Sequence, residues 1–329
     1  MINEVDYGPL NIEIRAHETE LLDNAFYQQL LTANSMDAAI KMLQGTPYEF
    51  LRKNEDKEEG LSHYLEQEYA KAFQLSPNSK VIEFAALEYV YHNLKVLFKS
   101  YYTEKDLRHL LINIGPYDLE DLGKAVRSGT SDVIEGDYLT TIHKVREYMN
   151  EYENVHHLDA LLDYYYFEHW MELAKEIHDP ELIQSVKEYV DLHQMTVAMR
   201  LAKMGKPISA ISGLVPDVGA IPTSDFVQWA KEGPEGLSRA LMETPYRELL
   251  TKLTDDKQWI DPTKLEKLMD DRRMVYQTAA KYEAFGPKPI LAFLYAKETE
   301  IKNIRVILNG IANGLPKEIV EKTLRQNYK

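Results

Sequence analysis

The sequence contains no cysteine. That excludes a disulfide scaffold, a thiol nucleophile and any zinc site with thiolate ligands. Positive charge is also scarce: 38 Lys and Arg face 53 Asp and Glu, for a net charge of −15. Proteins that coat phosphate backbones gain affinity from clustered cations, so no nucleic-acid partner is expected. Long hydrophobic runs are missing as well. Residues 290–296 are too short to cross hydrocarbon, which takes about 20 residues, and the run over 208–222 is broken by Gly213, Pro216, Asp217 and Gly219. The opening Met1-Ile2-Asn3-Glu4-Val5-Asp6 is acidic where a signal peptide is basic and then apolar. These absences predict a soluble cytoplasmic protein that meets a membrane only through a partner. Alternating runs bounded by hairpin signals are lacking too, so no sheet is expected.

What remains is an ordinary globular composition, 44% hydrophobic over 329 residues, long enough for two or three domains. The apolar residues fall at helical spacing. Val81, Phe84, Leu87, Val90, Leu94, Leu97 and Phe98 recur every three or four positions, after a Ser76-Pro77-Asn78 start signal. Residues 158–175 and 265–282 repeat the pattern, with Asp179-Pro180 and Gly286-Pro287 as punctuation. The 22 tyrosines are scattered along the chain, most of them read as core-edge residues with a wetted hydroxyl. The predicted fold class is all-α.

The helices repeat with a period near a hundred residues. A shift of 109 puts Asp191 on Glu300, Gln194 on Asn303, Met199 on Leu308, Gly205 on Gly314 and Pro207 on Pro316 without a gap. A shift of 210 puts Pro77 on Pro287, Glu88 on Glu298 and Asn93 on Asn303. A shift of 198 puts Thr46-Pro47-Tyr48 on Thr244-Pro245-Tyr246, and one of 107 puts Leu158, Asp163 and Pro180 on Leu265, Asp270 and Pro287. The reading is three helical units, residues 1–115, 116–216 and 217–329. Each opens with a helical hairpin (25–31, 119–126, 226–230) and continues into a Pro-started long helix carrying Asn or Gln. Each closes with a short helix (104–111, 207–214, 316–324). So long a period disfavours a solenoid of small repeats and suits a pseudo-threefold arrangement of similar bundles.

The stretch Tyr295-Ala296-Lys297-Glu298-Thr299-Glu300-Ile301-Lys302-Asn303-Ile304-Arg305, then Gly314-Leu315-Pro316-Lys317-Glu318-Ile319 and the ending Leu324-Arg325-Gln326-Asn327-Tyr328, resembles the C subunits of bacterial and archaeal V-type ATPases. It is also similar to the d-type subunits of the eukaryotic vacuolar enzyme. Residues 15–51, with Leu21-Leu22, Tyr27, Leu30-Leu31 and Thr46-Pro47-Tyr48, resemble the opening of the same family, so the likeness covers essentially the whole chain. The resemblance implies a funnel-shaped, non-catalytic subunit, one copy per complex, on the cytoplasmic face of the proteolipid ring. It would receive the foot of the central shaft and pass rotation driven by ATP hydrolysis to a ring that moves H⁺ or Na⁺. Neither cofactor nor metal is implied. The repeat-signature residues Asn93, Gln194, Glu298, Glu300, Asn303 and Arg305 read as framework, with Arg305 paired to Glu298 or Glu300 along its own helix. Copy two departs from the signature: Gln194 stands for Asn, and Thr196 or Ala198 stands where the Arg is sought.

Two other function classes compete with this reading, a general helical scaffold or adaptor and a metal-dependent helical enzyme. Asp270-Asp271-Arg272-Arg273-Met274 begins like an Asp-rich magnesium motif but has Met274 where its last carboxylate belongs, and no second motif follows. Glu153-Asn154-Val155-His156 has no companion of the kind a di-iron bundle needs. His156 and His157, near Asp159 and Asp163, are adjacent and point apart on a helix. Gly205-Lys206-Pro207 lacks the hydroxyl of a phosphate loop. The ten histidines suggest no Ser-His-Asp arrangement.

Overall fold

A computed structural model of the chain describes residues 3–54, 56–152, 154–205, 216–254 and 259–329. Among the described residues there is no strand, only an isolated bridge between Thr254 and Ile260. The helices are α1 (Gly8–Glu18), α2 (Asn24–Leu30), α3 (Met36–Met42), α4 (Lys57–Leu75), α5 (Ser79–Thr103), α6 (Leu119–Ser128), α7 (Gly136–Tyr152) and α8 (Leu158–Ile177). There follow α9 (Pro180–Lys203), α10 (Thr223–Trp229), α11 (Gly233–Leu241), α12 (Arg247–Leu250), α13 (Pro262–Ala279), α14 (Lys288–Ala312) and α15 (Lys317–Thr323). The fold is all-α.

Local chemistry sets the helix starts. The carboxylates of Asp23, Asp56, Asp118 and Asp179 and the hydroxyl of Ser35 accept backbone N–H bonds at the heads of α2, α4, α6, α9 and α3. Each satisfies donors that a helix leaves unpaired in its first turn. Proline follows directly in α9, where its missing N–H costs nothing. The long helices also stop alike. Glu104 (φ 56°), Gly205 (φ 63°) and Gly314 (φ 62°) each take the left-handed conformation just beyond α5, α9 and α14. These positions are related by the shifts of 210 and 109.

The chain falls into two compact units. The first comprises Met1–Ala85 and Asp270–Lys329, the second Ala86–Met269. In the first, α14 is the central helix, packed by α1, α3, α4 and α15. It is buried from Pro289 to Lys297, which is where the apolar run over 290–296 goes. In the second unit α9 is central, against α8, α10 and α11. Its core gathers Leu192, Met195, Met199, Phe226, Leu237 and Leu265.

One expected element is absent. Residues 104–111 do not form a closing helix; only a single 3-10 turn, Arg108–Leu110, interrupts an extended path. Closing helix 316–324 exists as α15, and 207–214 lies outside the described residues, as does much of the run over 208–222.

Candidate functional site

The repeat-signature residues converge on two kinds of buried polar contact. The first is an amide clamp. Asn93, fully buried on α5, donates from Nδ2 to the carbonyl of Ile112 (2.7 Å) and accepts the Ile112 N–H at Oδ1 (2.9 Å). Asn303 on α14 makes the same pair with Arg325, at 3.0 and 2.8 Å. Gln194 on α9 donates to the Pro216 carbonyl (3.5 Å) and to Thr223 Oγ1 (3.2 Å). In each case one amide halfway along a long helix holds the irregular chain that returns past it, supplying the partners that buried backbone requires.

The second is a carboxylate lock. Glu300, 2% exposed, accepts at Oε1 from the Leu22 N–H and at Oε2 from Tyr48 Oη (2.7 Å) and Lys297 Nζ (3.2 Å). The Lys297 ammonium is itself 1% exposed and lies 5.6–5.7 Å from the ring centres of Tyr48, Tyr64 and Phe293. Burial pushes the Glu300 carboxyl above its ordinary range, against the opposing pull of Lys297, Leu22 and Tyr48. The other unit repeats the motif. Asp191 accepts from the Ala220 and Ile221 N–H groups (both 3.0 Å) and from Tyr246 Oη (2.6 Å). Burial raises its carboxyl too, opposed by those hydrogen bonds. Gly219 is required here, since a Cβ would lie 2.2 Å from Asp191 Oδ1. At the corresponding position of α5 the residue is Val90, so that helix packs without a lock.

Glu298 accepts from Tyr69 Oη on α4. Arg305 corrects an expectation. Its guanidinium reaches across to α4, pairing with Glu58 (2.8 Å) and donating to Ser62 Oγ (2.7 Å), instead of pairing with Glu298 or Glu300. Glu300, five residues away on the same helix, is buried against Leu22, Tyr48 and Lys297, and Glu298, seven residues away, accepts from Tyr69. The lock partners Tyr48, Tyr246 and Lys297 are not among the signature residues. The shifts of 198 and 109, which superpose both tyrosines and both carboxylates, are the signal that could have found them.

The carboxylates that suggest metal or phosphate chemistry are tied up internally. Asp270 would be raised by burial, yet Lys302 and Arg325 overcome that and hold it below the ordinary carboxylate range. Asp271 accepts the Gln326 N–H (2.8 Å). Asp159 and Asp163 pair with Lys99 and Lys95, and His157 Nδ1 meets Tyr148 Oη (2.7 Å). Glu153 and the segment 206–215, with Lys206 and Pro207, lie outside the described residues. Among the described residues no group of three His, Asp or Glu is placed to hold a metal ion, and no helix is long and apolar enough to cross a membrane.

Comparison with known proteins gives a consistent result. Residues 10–323 match the family model of the ATP synthase (C/AC39) subunit. The C subunit of the V-type sodium ATPase of Enterococcus hirae is 30% identical over 329 residues, covering 98% of this chain and 99% of that one. The C subunit of the A-type ATP synthase of Methanocaldococcus jannaschii is 25% identical, covering 97% and 86%. Its counterpart in Thermococcus kodakarensis is 20% identical, covering 96% and 89%.

Proposed function

The chain belongs to the ATP synthase (C/AC39) subunit family, that of V- and A-type ATPase C subunits, and from that premise we propose that it is the non-catalytic linker of a rotary motor. In this reading it sits on the cytoplasmic face of the proteolipid ring and receives the foot of the central shaft. One copy per complex passes rotation from ATP hydrolysis to the ring, or the reverse during synthesis. The ring would carry H⁺ or Na⁺; the Enterococcus relative is named for sodium. What carries the reading is that the family match runs through both compact units, from residue 10 to residue 323.

The task asks for stiffness and two interfaces, each of roughly 1,200–2,000 Å². The buried clamps and locks suit the first demand. Each fixes irregular chain to a long helix through groups whose separation would leave buried donors unpaired. Three bundles, residues 1–115, 116–216 and 217–329, in a pseudo-threefold funnel fit the recurrence of left-handed residues at 104, 205 and 314 and of amides at 93, 194 and 303. The acidic balance of the chain favours basic partner surfaces.

The test is binding to purified shaft subunits and to detergent-solubilised ring, separately and together. The chain is expected to bind each and to bridge them. Binding to only one, or to a single soluble partner outside the motor, would favour the adaptor reading instead.

A further inference from the structure

The two carboxylate locks differ in one residue. Lys297, one turn before Glu300, supplies positive charge in the first unit. The shift of 109 that superposes Glu300 on Asp191 puts Glu188 in the place of Lys297, and the shift of 210 puts Leu87 there, beside Val90. All three pairs are buried, Glu188 at 7% and Asp191 at 0% exposure. The pair on α5 is apolar and the pair on α14 joins a base to an acid. On α9 one acid stands a single turn from another, and two neighbouring carboxylates resist being ionised together. The cations around α9 serve other acids. Lys95 of α5 and Arg200, which act on His193 two residues along, pair with Asp163 of α8 and Glu266 of α13. Arg239 of α11 turns to Glu232. Asp217, on the returning segment, adds a further carboxylate, which accepts the Thr223 N–H (3.0 Å). Burial, and to a lesser degree Glu188, raise the Asp191 carboxyl against the pull of its three hydrogen bonds.

A proton is the counter-charge that fits this site. Gly219 lies so close over Asp191 Oδ1 that a Cβ would not fit, which leaves no way in for a partner's side chain. Placed on Oδ2, a proton is donated to the Tyr246 oxygen, since a phenol hydroxyl accepts as well as donates. Oδ1 then keeps the N–H bonds of Ala220 and Ile221, so all three contacts survive. We propose that a proton on Asp191 does in the second unit what Lys297 does in the first, neutralising the lock so that residues 219–221 are held more tightly to α9 at pH 5 than at pH 8. The sign follows from linkage. A carboxyl raised in the folded state adds stability that is complete below its unfolded value, about pH 4, and is lost as the pH rises through its folded value. This switch is a property of the fold and does not depend on the rotor-linker reading.

Hydrogen exchange of the full chain, corrected for the intrinsic pH dependence of amide exchange, reports local opening at Ala220 and Ile221. Their protection is expected to be at least about threefold higher at pH 5 than at pH 8, the effect of about half a pKa unit. Asp191→Asn imitates the protonated form, its Oδ1 accepting from the backbone and its Nδ2 donating to Tyr246. At pH 8 it should protect the two amides as well as the native chain does at pH 5, and lose the pH dependence. Glu188→Lys restores the residue of the first unit and should do the same, with a melting temperature at pH 8 no lower than native. Equal protection of the native chain at both pH values overturns the proposal. So does weaker protection in Asp191→Asn, which would mean that the lock works charged. Should either variant fail to fold, the native comparison and the other variant decide.

Discussion

Replacing Glu300 by Ala removes the acceptor for three donors at once: the Leu22 N–H, the Tyr48 hydroxyl and the Lys297 ammonium. None can turn to water, since Lys297 is 1% and Tyr48 0% exposed. Breaking a buried ion pair from one side costs about 3–5 kcal/mol. For a cooperative body of this size each kcal/mol moves the melting temperature by roughly 2–4 °C. The first unit should therefore melt about 6–20 °C lower, measured by calorimetry or by the helical circular-dichroism signal. The double variant Glu300→Leu, Lys297→Met removes both charges and should recover most of that loss, because a buried pair exchanged for apolar groups of similar volume is close to neutral. A single variant as stable as the native chain, or a double variant no better than the single, would refute the claim that the lock holds charge in the core.

Three further outcomes follow from the same geometry. The carboxyls of Glu300 and Asp191 are raised in the folded state, so between about pH 4 and their folded values the native chain holds more protons than the unfolded one. Stability therefore increases as the pH falls from neutrality into that window. Asp270, held low, contributes stability above about pH 4 that is lost as the pH falls through its folded value. Melting curves against pH should thus peak on the acid side of neutrality, and Glu300→Gln should flatten that rise. Asn93→Ala and Asn303→Ala should each cost about 1–3 kcal/mol and speed hydrogen exchange at the Ile112 and Arg325 amides respectively; unchanged exchange there would contradict the clamp. Glu104→Gly should stabilise the chain by up to about 1 kcal/mol in urea unfolding, since a left-handed non-glycine residue costs roughly 1–2 kcal/mol, part of which is returned to glycine's freedom in the unfolded chain.

Much of the fold is legible from spacing alone. The period-3.6 pattern of residues 81–98 is α5, and the Pro180 and Pro287 signals mark the starts of α9 and α14. Asn93, Gln194 and Asn303 stand out by internal likeness because the same clamp constrains each. The missing helix at 104–111 is not legible, and its reason is one of length. From Asn303 to its clamped partner is 22 residues, and from Gln194 also 22, but from Asn93 only 19. Three residues fewer must cover a similar return path. A helix advances about 1.5 Å per residue and extended chain about 3.3 Å, so the shorter segment reaches Asn93 only by uncoiling. The apolar residues Leu107, Leu110 and Leu111 still carry the helical pattern that suggests otherwise. Arg305 departs from expectation for a different reason. Sequence offers partners on the same helix, whereas Glu58 and Ser62 are brought near by tertiary packing of α4.

Coupling is what a rotor linker exists to provide, and removing the chain tests it most directly. Vesicles containing the motor reconstituted without this chain should still hydrolyse ATP in the soluble sector while moving no cation, and adding the purified chain should restore ATP-driven H⁺ or Na⁺ transport. Cation transport at the full rate in its absence, or ATP turnover by the purified chain alone, would contradict the linker role.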